Sequence, residues 1–275
     1  MLTNNSKLKV STVQMNKFLK LLQLVLISVI SITLLVGCVS EGKGNSAKPN
    51  RHVDTAKSLE LHIKLAQGYI EKGNRESARH HLRKAGEIDK NSPEAMETLA
   101  RLYQLEGEPA LAEQTFKKAI KRKKNFTLAN NNYGVFLFGA KRYEEALAQF
   151  ELAASDLDYD GRAAALVNVG RTALLLGKNE RAKAAFEHAT VLDRGLAEPH
   201  IELADMSFQR QEYADAKKHL DRYQALGQQS SRSLLLAIRL ERIFGNKDKE
   251  ASYLLVLKNR FPYSKEYLEY KQTMM

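Results

Sequence analysis

The sequence predicts an all-α solenoid in which one helix-turn-helix unit is repeated about six times. Three observations predict it: a period of 34 residues, small side chains at two fixed positions of that period, and glycine-containing turns between the two expected helices. A sixth, weaker unit covers residues 231–264. The five clear units begin at Leu59, Pro93, Thr127, Ala163 and Ala197.

Small residues at the eighth and twentieth positions mark the places where the two helices of a unit approach closely. The twenty-fourth position carries leucine or phenylalanine in all five clear units, and we expect it to fill the space beside the small residues. We therefore assign the small residues to packing between helices. All ten are alanine or glycine: Ala66, Ala100, Gly134, Gly170 and Ala204 at the eighth position, and Ala78, Ala112, Ala146, Ala182 and Ala216 at the twentieth.

Turn residues lie where the first helix of a unit must end. Gly73, Gly107 and Gly177 occupy such places, and glycine suits the left-handed conformation that commonly ends a helix. Gly161 and Arg162 form a two-residue insertion before the fourth unit. The predicted units are 59–92, 93–126, 127–160, 163–196, 197–230 and 231–264, followed by a C-terminal tail at 265–275.

This pattern resembles the tetratricopeptide repeat, a helix-turn-helix unit with a period of 34 residues. The resemblance implies a right-handed superhelical solenoid with a concave groove lined by the first helices of its units. The sixth unit departs from the pattern, because Glu250 stands where the other units have a small residue. Such departures are common in terminal repeats, where one face meets water instead of a neighbour.

The first 37 residues have the layout of an export signal. They contain four lysines and no acidic residue, and an apolar stretch runs from Leu21 to Val36. That stretch of about 16 residues is shorter than the ~20 that a membrane-spanning helix needs. We therefore predict a cleavable signal peptide over residues 1–37, with Met1 and Met15 both open as the start residue.

The only cysteine, Cys38, directly follows this stretch. The residues from Leu35 to Cys38 resemble the bacterial lipobox, which implies cleavage between Gly37 and Cys38 and lipid attachment at Cys38. Val39 follows instead of aspartate, which implies the periplasmic face of the outer membrane of a Gram-negative bacterium. In this interpretation, residues 38–58, which are polar, form the lipidated N-terminus and a flexible tether. The alternative is a buried cysteine in an uncleaved anchor.

Polar and aromatic residues of units three and four are candidates for a protein-binding groove. Asn132 and Asn168 occupy the sixth position, which faces the concave side in this repeat. Their amides offer donors and an acceptor for the backbone of an extended peptide. The alternative is that each amide bonds to a neighbouring helix. The predicted groove residues are Asn131, Asn132, Phe136, Phe138, Asn168 and Arg171.

The formal net charge of +11 suggests nucleic-acid binding at first sight. Without the four lysines of the signal, 39 basic residues stand against 32 acidic ones, a net charge of +7. An exported protein meets anionic headgroups and acidic protein surfaces, so we expect no nucleic-acid partner.

A run of basic residues lies in the second helix of unit two. We interpret it as a solvated helix face, and the alternative is contact with a membrane surface or a partner. The run comprises Lys117, Lys118, Lys121, Arg122, Lys123 and Lys124.

No catalytic or nucleotide-binding motif occurs in the sequence, and we expect neither an enzyme nor a cofactor, metal or small-molecule substrate. The seven histidines show no metal-site spacing along a helix, and His80 and His81 are adjacent, so they point in different directions. We interpret the histidines as isolated surface residues.

Two segments carry a closer resemblance. Unit three opens with the sequence NNYGVFL, from Asn131 to Leu137, and unit six contains SLLLAIRL, from Ser233 to Leu240. Together with the lipobox and six units, they resemble the type IV pilus biogenesis lipoproteins called PilW or PilF. Many relatives join units three and four by a cysteine pair, which this sequence lacks.

The resemblance implies a secretin pilotin, which binds the outer-membrane secretin of the pilus machine, directs it to the outer membrane and promotes its multimerisation. The expected partners are therefore the secretin and, through the acyl chains, the outer membrane. The alternative is a general scaffold lipoprotein for cell-wall enzymes or outer-membrane protein assembly, because the repeat itself does not distinguish the two.

Overall fold

The computed structural model describes residues 51–273. The predicted signal peptide, the cleavage and lipidation residues Gly37 and Cys38, and residues 39–50 of the predicted tether lie outside this range. Within it there is no β-strand, and the chain forms the following helices: α1 (Arg51–Glu71), α2 (Arg75–Ile88), α3 (Pro93–Glu106), α4 (Pro109–Arg122), α5 (Thr127–Gly139), α6 (Tyr143–Ser155), α7 (Arg162–Leu175), α8 (Asn179–Leu192), α9 (Glu198–Gln209), α10 (Tyr213–Ala225), α11 (Ser231–Ile243), α12 (Lys247–Arg260) and α13 (Lys265–Thr273).

The helices pack chiefly on their neighbours along the chain, as in a solenoid. Odd-numbered helices α1 to α11 are the first helices of the six units and even-numbered helices α2 to α12 are the second. The first helices of units two and three, α3 and α5, also contact each other directly. This arrangement confirms the prediction of an all-α helical solenoid and aligns the first helices along one side of the molecule.

The small residues predicted for packing lie between the helices. All ten of them are buried, and the eight alanines have no exposed surface. In units two to four the core side chain beside them is Phe116, Phe150 or Phe186, each almost completely buried. Gly134 and Gly170 allow a particularly close approach, because an added Cβ would lie 2.7 Å and 2.6 Å from the rings of Phe150 and Phe186.

The turn between the two helices of a unit has the same backbone conformation throughout. Its fifteenth position has a positive φ in all six units: Gly73, Gly107, Lys141, Gly177, Gln211 and Gly245. Glycine adopts this conformation without steric cost, whereas Lys141 and Gln211 are held there by the surrounding fold at a cost of roughly 1–2 kcal/mol each. The repeat geometry therefore overrides the local preference in units three and five.

Both predicted boundaries of the solenoid need correction. Residues 51–58, predicted as part of the flexible tether, belong to helix α1. The predicted C-terminal tail at 265–275 contains helix α13, which packs against α11. Tyr270 of α13 is buried with Leu234, Ile238 and Leu257 of unit six. The apolar end of the array is thus covered by a half-unit that the period of 34 did not reveal.

Candidate protein-binding surface

A chain of polar side chains crosses the first helices of units two, three and four. Asn132 Nδ2 donates to Glu97 Oε1 at 2.7 Å, Asn131 Nδ2 donates to Asn132 Oδ1 at 3.4 Å, and Asn168 Nδ2 donates to Asn131 Oδ1 at 3.3 Å. We name these four residues the amide ladder. The three asparagines are half-buried, so the ladder combines bonds between helices with accessible polar groups. The bonds to neighbouring helices agree with the alternative interpretation of these asparagines, and the binding of a peptide backbone stays a prediction.

Glu97 anchors one end of the amide ladder. Its side chain has no exposed surface, and burial raises the pKa of the carboxyl despite the hydrogen bond from Asn132 and the charge of Arg101. Thr98 Oγ1 lies 3.3 Å from Glu97 Oε2, so both carboxyl oxygens have a polar neighbour. The anchor is a carboxyl group whose neutral form the fold favours, and it holds Asn132 in place.

The two phenylalanines predicted for the groove are engaged in contacts with other aromatic rings. Phe136 is only 7% exposed and packs in the core with Phe116 and Tyr133, at ring-centroid distances of 6.0 Å and 6.1 Å. Phe138 is half-buried and contacts Tyr143 edge to face. The assignment of Phe136 to the groove surface therefore needs correction, since α5 turns its tenth position inward to fill the core.

The exposed apolar side chains on this part of α5 are different residues. Leu128 and Val135 are 37% and 44% exposed, and they lie at the second and ninth positions of unit three. Because residues seven apart share a helix face, Leu128 and Val135 flank the asparagines at 131 and 132 on the same side. The sequence would have shown them by the same spacing rule that selected Asn132.

Charged pairs take the place of amides between units four and six. Arg171 binds Glu198 of the next unit, with Nε to Oε1 at 2.9 Å and Nη2 to Oε2 at 2.6 Å. Arg232 binds Glu202 at 2.6 Å and 2.9 Å and also contacts Asp205. Arg171 is thus exposed but already paired with Glu198. We name Arg232, Glu202 and Asp205 the Arg232 cluster, which the sequence analysis did not find.

The Asp205 carboxyl is only partly exposed in this cluster. Burial raises its pKa, and the charge of and hydrogen bond from Arg232 oppose that rise. The pKa of Arg232 is raised in turn, mainly by its hydrogen bonds to Glu202. Opposite charges 27 or 30 positions apart, at position six or nine of one unit and position two of the next, are the signal by which such pairs are found in a repeat sequence.

Part of the predicted basic run is neutralised and part is not. Lys117 binds Glu113 at 2.7 Å, and Lys123 binds Glu94 at 2.8 Å. Three further members of the run, Lys118, Lys121 and Arg122, line an open cleft with Asn91, Pro93 and Met96. The cleft is about 740 Å³ in volume and lies between the start of α3, the end of α4 and the loop that follows α2. The geometry agrees with an accessible cationic surface.

Four of the seven histidines form two pairs, which the sequence analysis did not predict. His62 pairs with His81 in unit one, and His200 pairs with His219 in unit five. His200 is 8% exposed, so its interpretation as a surface residue was wrong. Within residues 51–273 no group of three or more histidine, cysteine and acidic side chains converges, and no helix is both long and apolar enough to cross a membrane.

The comparisons with known proteins agree with this architecture. Models of the tetratricopeptide repeat match residues 69–130 and 163–195, which confirms the predicted repeat. The chain is 39% identical over 237 residues to the type IV pilus assembly protein PilF of Pseudomonas aeruginosa, a match that covers 86% of this chain and 93% of that protein.

Two solved structures extend the match to three dimensions. The structure of Pseudomonas aeruginosa PilF is 38% identical with a TM-score of 0.75, covering 80% of this chain and 99% of that one. The structure of PilW, described as a widely conserved type IV pilus biogenesis factor, is 25% identical with a TM-score of 0.63, covering 79% and 98%. The chain therefore belongs to the PilF/PilW family of tetratricopeptide-repeat proteins of type IV pilus biogenesis.

Proposed function

We propose that this chain is the lipid-anchored pilotin of a type IV pilus secretin. It binds the secretin, directs it to the outer membrane and promotes its multimerisation. The observation that carries the proposal is the 39% identity to a type IV pilus assembly protein over 93% of that protein's length. A helical scaffold without a catalytic motif is suited to this role, because piloting requires binding and an address but no chemistry.

The address is assigned to the N-terminus. Cys38 at the end of the apolar stretch is the proposed lipidation residue, and the mature chain then lies on the periplasmic face of the outer membrane. Helix α1 begins at Arg51, so the tether between lipid and solenoid has about a dozen residues. At roughly 3.3 Å per extended residue such a tether spans at most about 40 Å, which keeps the solenoid near the membrane.

The cargo is assigned to the first-helix surface of units three and four. Asn131 and Asn168 offer half-buried amides, and Leu128 and Val135 offer exposed apolar contacts beside them. An extended or helical secretin segment with alternating polar and apolar side chains fits this combination. The Arg171–Glu198 pair borders the surface on the side of unit five.

Deleting the gene tests the whole proposal. Unboiled outer-membrane fractions run on a gel are expected to lose the secretin multimer, and the monomer should accumulate in the inner membrane. Multimers at normal level and location would contradict the pilotin role. A pull-down from detergent extracts separates the alternatives, since recovery of cell-wall enzymes or barrel-assembly proteins without secretin favours the general scaffold.

The assigned surface is tested by replacing Asn131 and Asn168 with alanine together. Neither side chain contacts Glu97 directly, so the buried carboxyl keeps its bond from Asn132. We expect fewer secretin multimers at unchanged abundance of the chain. His188→Ala on the exposed side of α8 is the matched control and should leave the multimers unaffected. Equal multimer levels in both variants would remove the binding role from units three and four.

The anchor has a separate test. Cys38→Ala is expected to abolish labelling by radioactive palmitate and to leave the precursor uncut, because the thiol that accepts the diacylglycerol is gone. Secretin multimers should then assemble in the inner membrane or fail to assemble. Persistent labelling of the variant would contradict the lipoprotein assignment without affecting the assignment of the repeats.

A further inference from the structure

The two histidine pairs occupy equivalent places in two different units. His62 and His200 each occupy the fourth position of their unit, and His81 and His219 each occupy the twenty-third position of the same unit. The Nδ1 atoms are 3.0 Å apart in unit one and 3.3 Å apart in unit five. The members of each pair come from the two helices of one unit, α1 with α2 and α9 with α10.

The rings in the two pairs also have the same mutual orientation. Their centroids are 5.3 Å and 5.6 Å apart, with interplanar angles of 33° and 34°. Because this arrangement recurs 138 residues along the chain, it follows from the repeat geometry. Other units carry different residues at these positions, such as Met96 and Thr115 in unit two. Paired imidazole nitrogens are therefore a specific addition to units one and five.

This geometry matches what a transition metal requires of two imidazole ligands. Two nitrogens on one tetrahedral ion at ~2.0–2.1 Å lie about 3.3 Å apart. A small tilt of each ring converts an N–H···N contact into two nitrogens that share a metal ion. We propose that each histidine pair is a binding site for a divalent transition metal such as zinc or nickel, held by two imidazole nitrogens and water.

Burial acts on three of the four imidazoles. It lowers the pKa of His81, His200 and His219 and so disfavours the charged ring, which does not bind a metal ion. The charges of Asp215 and Glu187 act on His219 in the opposite sense to those of Lys218 and Lys183. The local field at the pair in unit five is therefore of mixed sign.

The remaining coordination positions are accessible to water. His200 and His219 border an open cleft of about 690 Å³, which is also lined by the acidic Asp221 and by three basic residues, Arg194, Lys218 and Arg222. In unit one His62 and His81 are half-buried, and the exposed neighbour His80 is not a member of the pair. A bound ion would connect the first and second helices of each unit, and ligand binding to the folded state raises its stability in proportion to RT ln(1 + [L]/Kd).

Metal stoichiometry tests the proposal directly. The purified full-length chain in detergent is titrated with zinc chloride alone at pH 7.5, and bound zinc is measured by calorimetry and by elemental analysis after dialysis. We expect two ions per chain, one in either His81→Gln or His219→Gln, and none at these sites in the double variant. Thermal melting should shift upward with zinc in the wild type and lose that shift in the double variant.

The matched controls are His80→Gln and His188→Gln, which each remove an exposed histidine outside the pairs. Both should retain two ions per chain. Zinc that binds equally to the wild type and the double variant would overturn the proposal, as would a wild type that binds none. Either result would leave the pairs as hydrogen bonds between helices. Circular dichroism of each variant confirms that lost zinc does not reflect lost fold.

Discussion

Units three and four differ from units five and six in how neighbouring helices are held together. In units three and four the two helices approach closely at Gly134 and Gly170, and the first helices carry asparagine amides on their surface. In unit five Ala204 packs with Leu220, and the Arg232 cluster joins units five and six. The charged side chains of the Arg232 cluster bind one another, whereas each asparagine amide has more donors and acceptors than the hydrogen bonds between helices use. One backbone repeat thus supports both a closed ionic contact and a surface with free hydrogen-bonding capacity.

The largest expected effect comes from closing the space in unit four. Gly170→Ala places a Cβ 2.6 Å from the Phe186 ring, and overpacking of this kind costs about 1–3 kcal/mol of unfolding free energy. Denaturant unfolding measures it. Adding Phe186→Leu recreates the alanine–leucine combination of unit five and should restore most of the loss. Unit two already combines an alanine, Ala100, with a phenylalanine, Phe116. If the denaturation midpoint of Gly170→Ala is unchanged, unit four can accommodate the same combination.

The joint between units five and six is expected to depend on Arg232. Arg232→Ala leaves Glu202 and Asp205 facing each other without their cation, at a cost of about 1–2 kcal/mol, between the values for surface and buried pairs. Arg171→Ala breaks a more exposed pair and serves as the comparison, with a smaller cost. Thermal melting at low and high salt measures the loss of stability in both variants. Equal losses for Arg232→Ala and Arg171→Ala would contradict the prediction.

The anchor of the amide ladder gives a pH-dependent prediction. Burial raises the pKa of Glu97 above 4.5, so folding favours the protonated form and stability falls as the pH rises from about 4.5 toward the folded pKa. Glu97→Gln keeps an acceptor for Asn132 and removes the titration. We expect this variant to be more stable than the wild type at pH 7 and to lose that advantage near pH 4. A stability difference between Glu97→Gln and the wild type that does not depend on pH would show that it does not arise from the titration of Glu97.

The smallest expected effect concerns the turn of unit three. Lys141 has a φ of 61°, which glycine adopts more easily, so Lys141→Gly should stabilise the chain by about 0.5 kcal/mol after the extra entropy of unfolded glycine is subtracted. Gly177→Ala in unit four is the reverse change and should destabilise it. Chemical denaturation of both variants should give shifts of opposite sign.

The sequence was informative where a feature repeats and uninformative where a contact is made once. The small residues at positions eight and twenty recur, so Ala146 and its equivalents could be assigned to helix packing without a structure. Glu97 and Arg232 each act in one place, and a carboxylate on a first helix gives no sign of its burial. The orientation of Phe136 depends on the rotation of α5, which sequence spacing fixes only to within part of a turn.

The histidine pairs show a second reason for failure. Spacing along one helix brings together residues three or four apart, and His62 and His81 are 19 apart. Only the fold of a unit brings its fourth and twenty-third positions into contact. A search that compares the same two positions in every unit would have found both pairs, because His200 and His219 repeat the spacing.

Helix α13 has a consequence for truncated forms of the chain. Its Tyr270 covers Leu234, Ile238 and Leu257, which otherwise form a surface shaped to receive the next unit. A stop codon or frameshift just after Ser264 would remove α13 and leave that apolar surface exposed at the C-terminal end of the solenoid. We therefore expect the truncated chain to self-associate, whereas the full chain does not expose this surface.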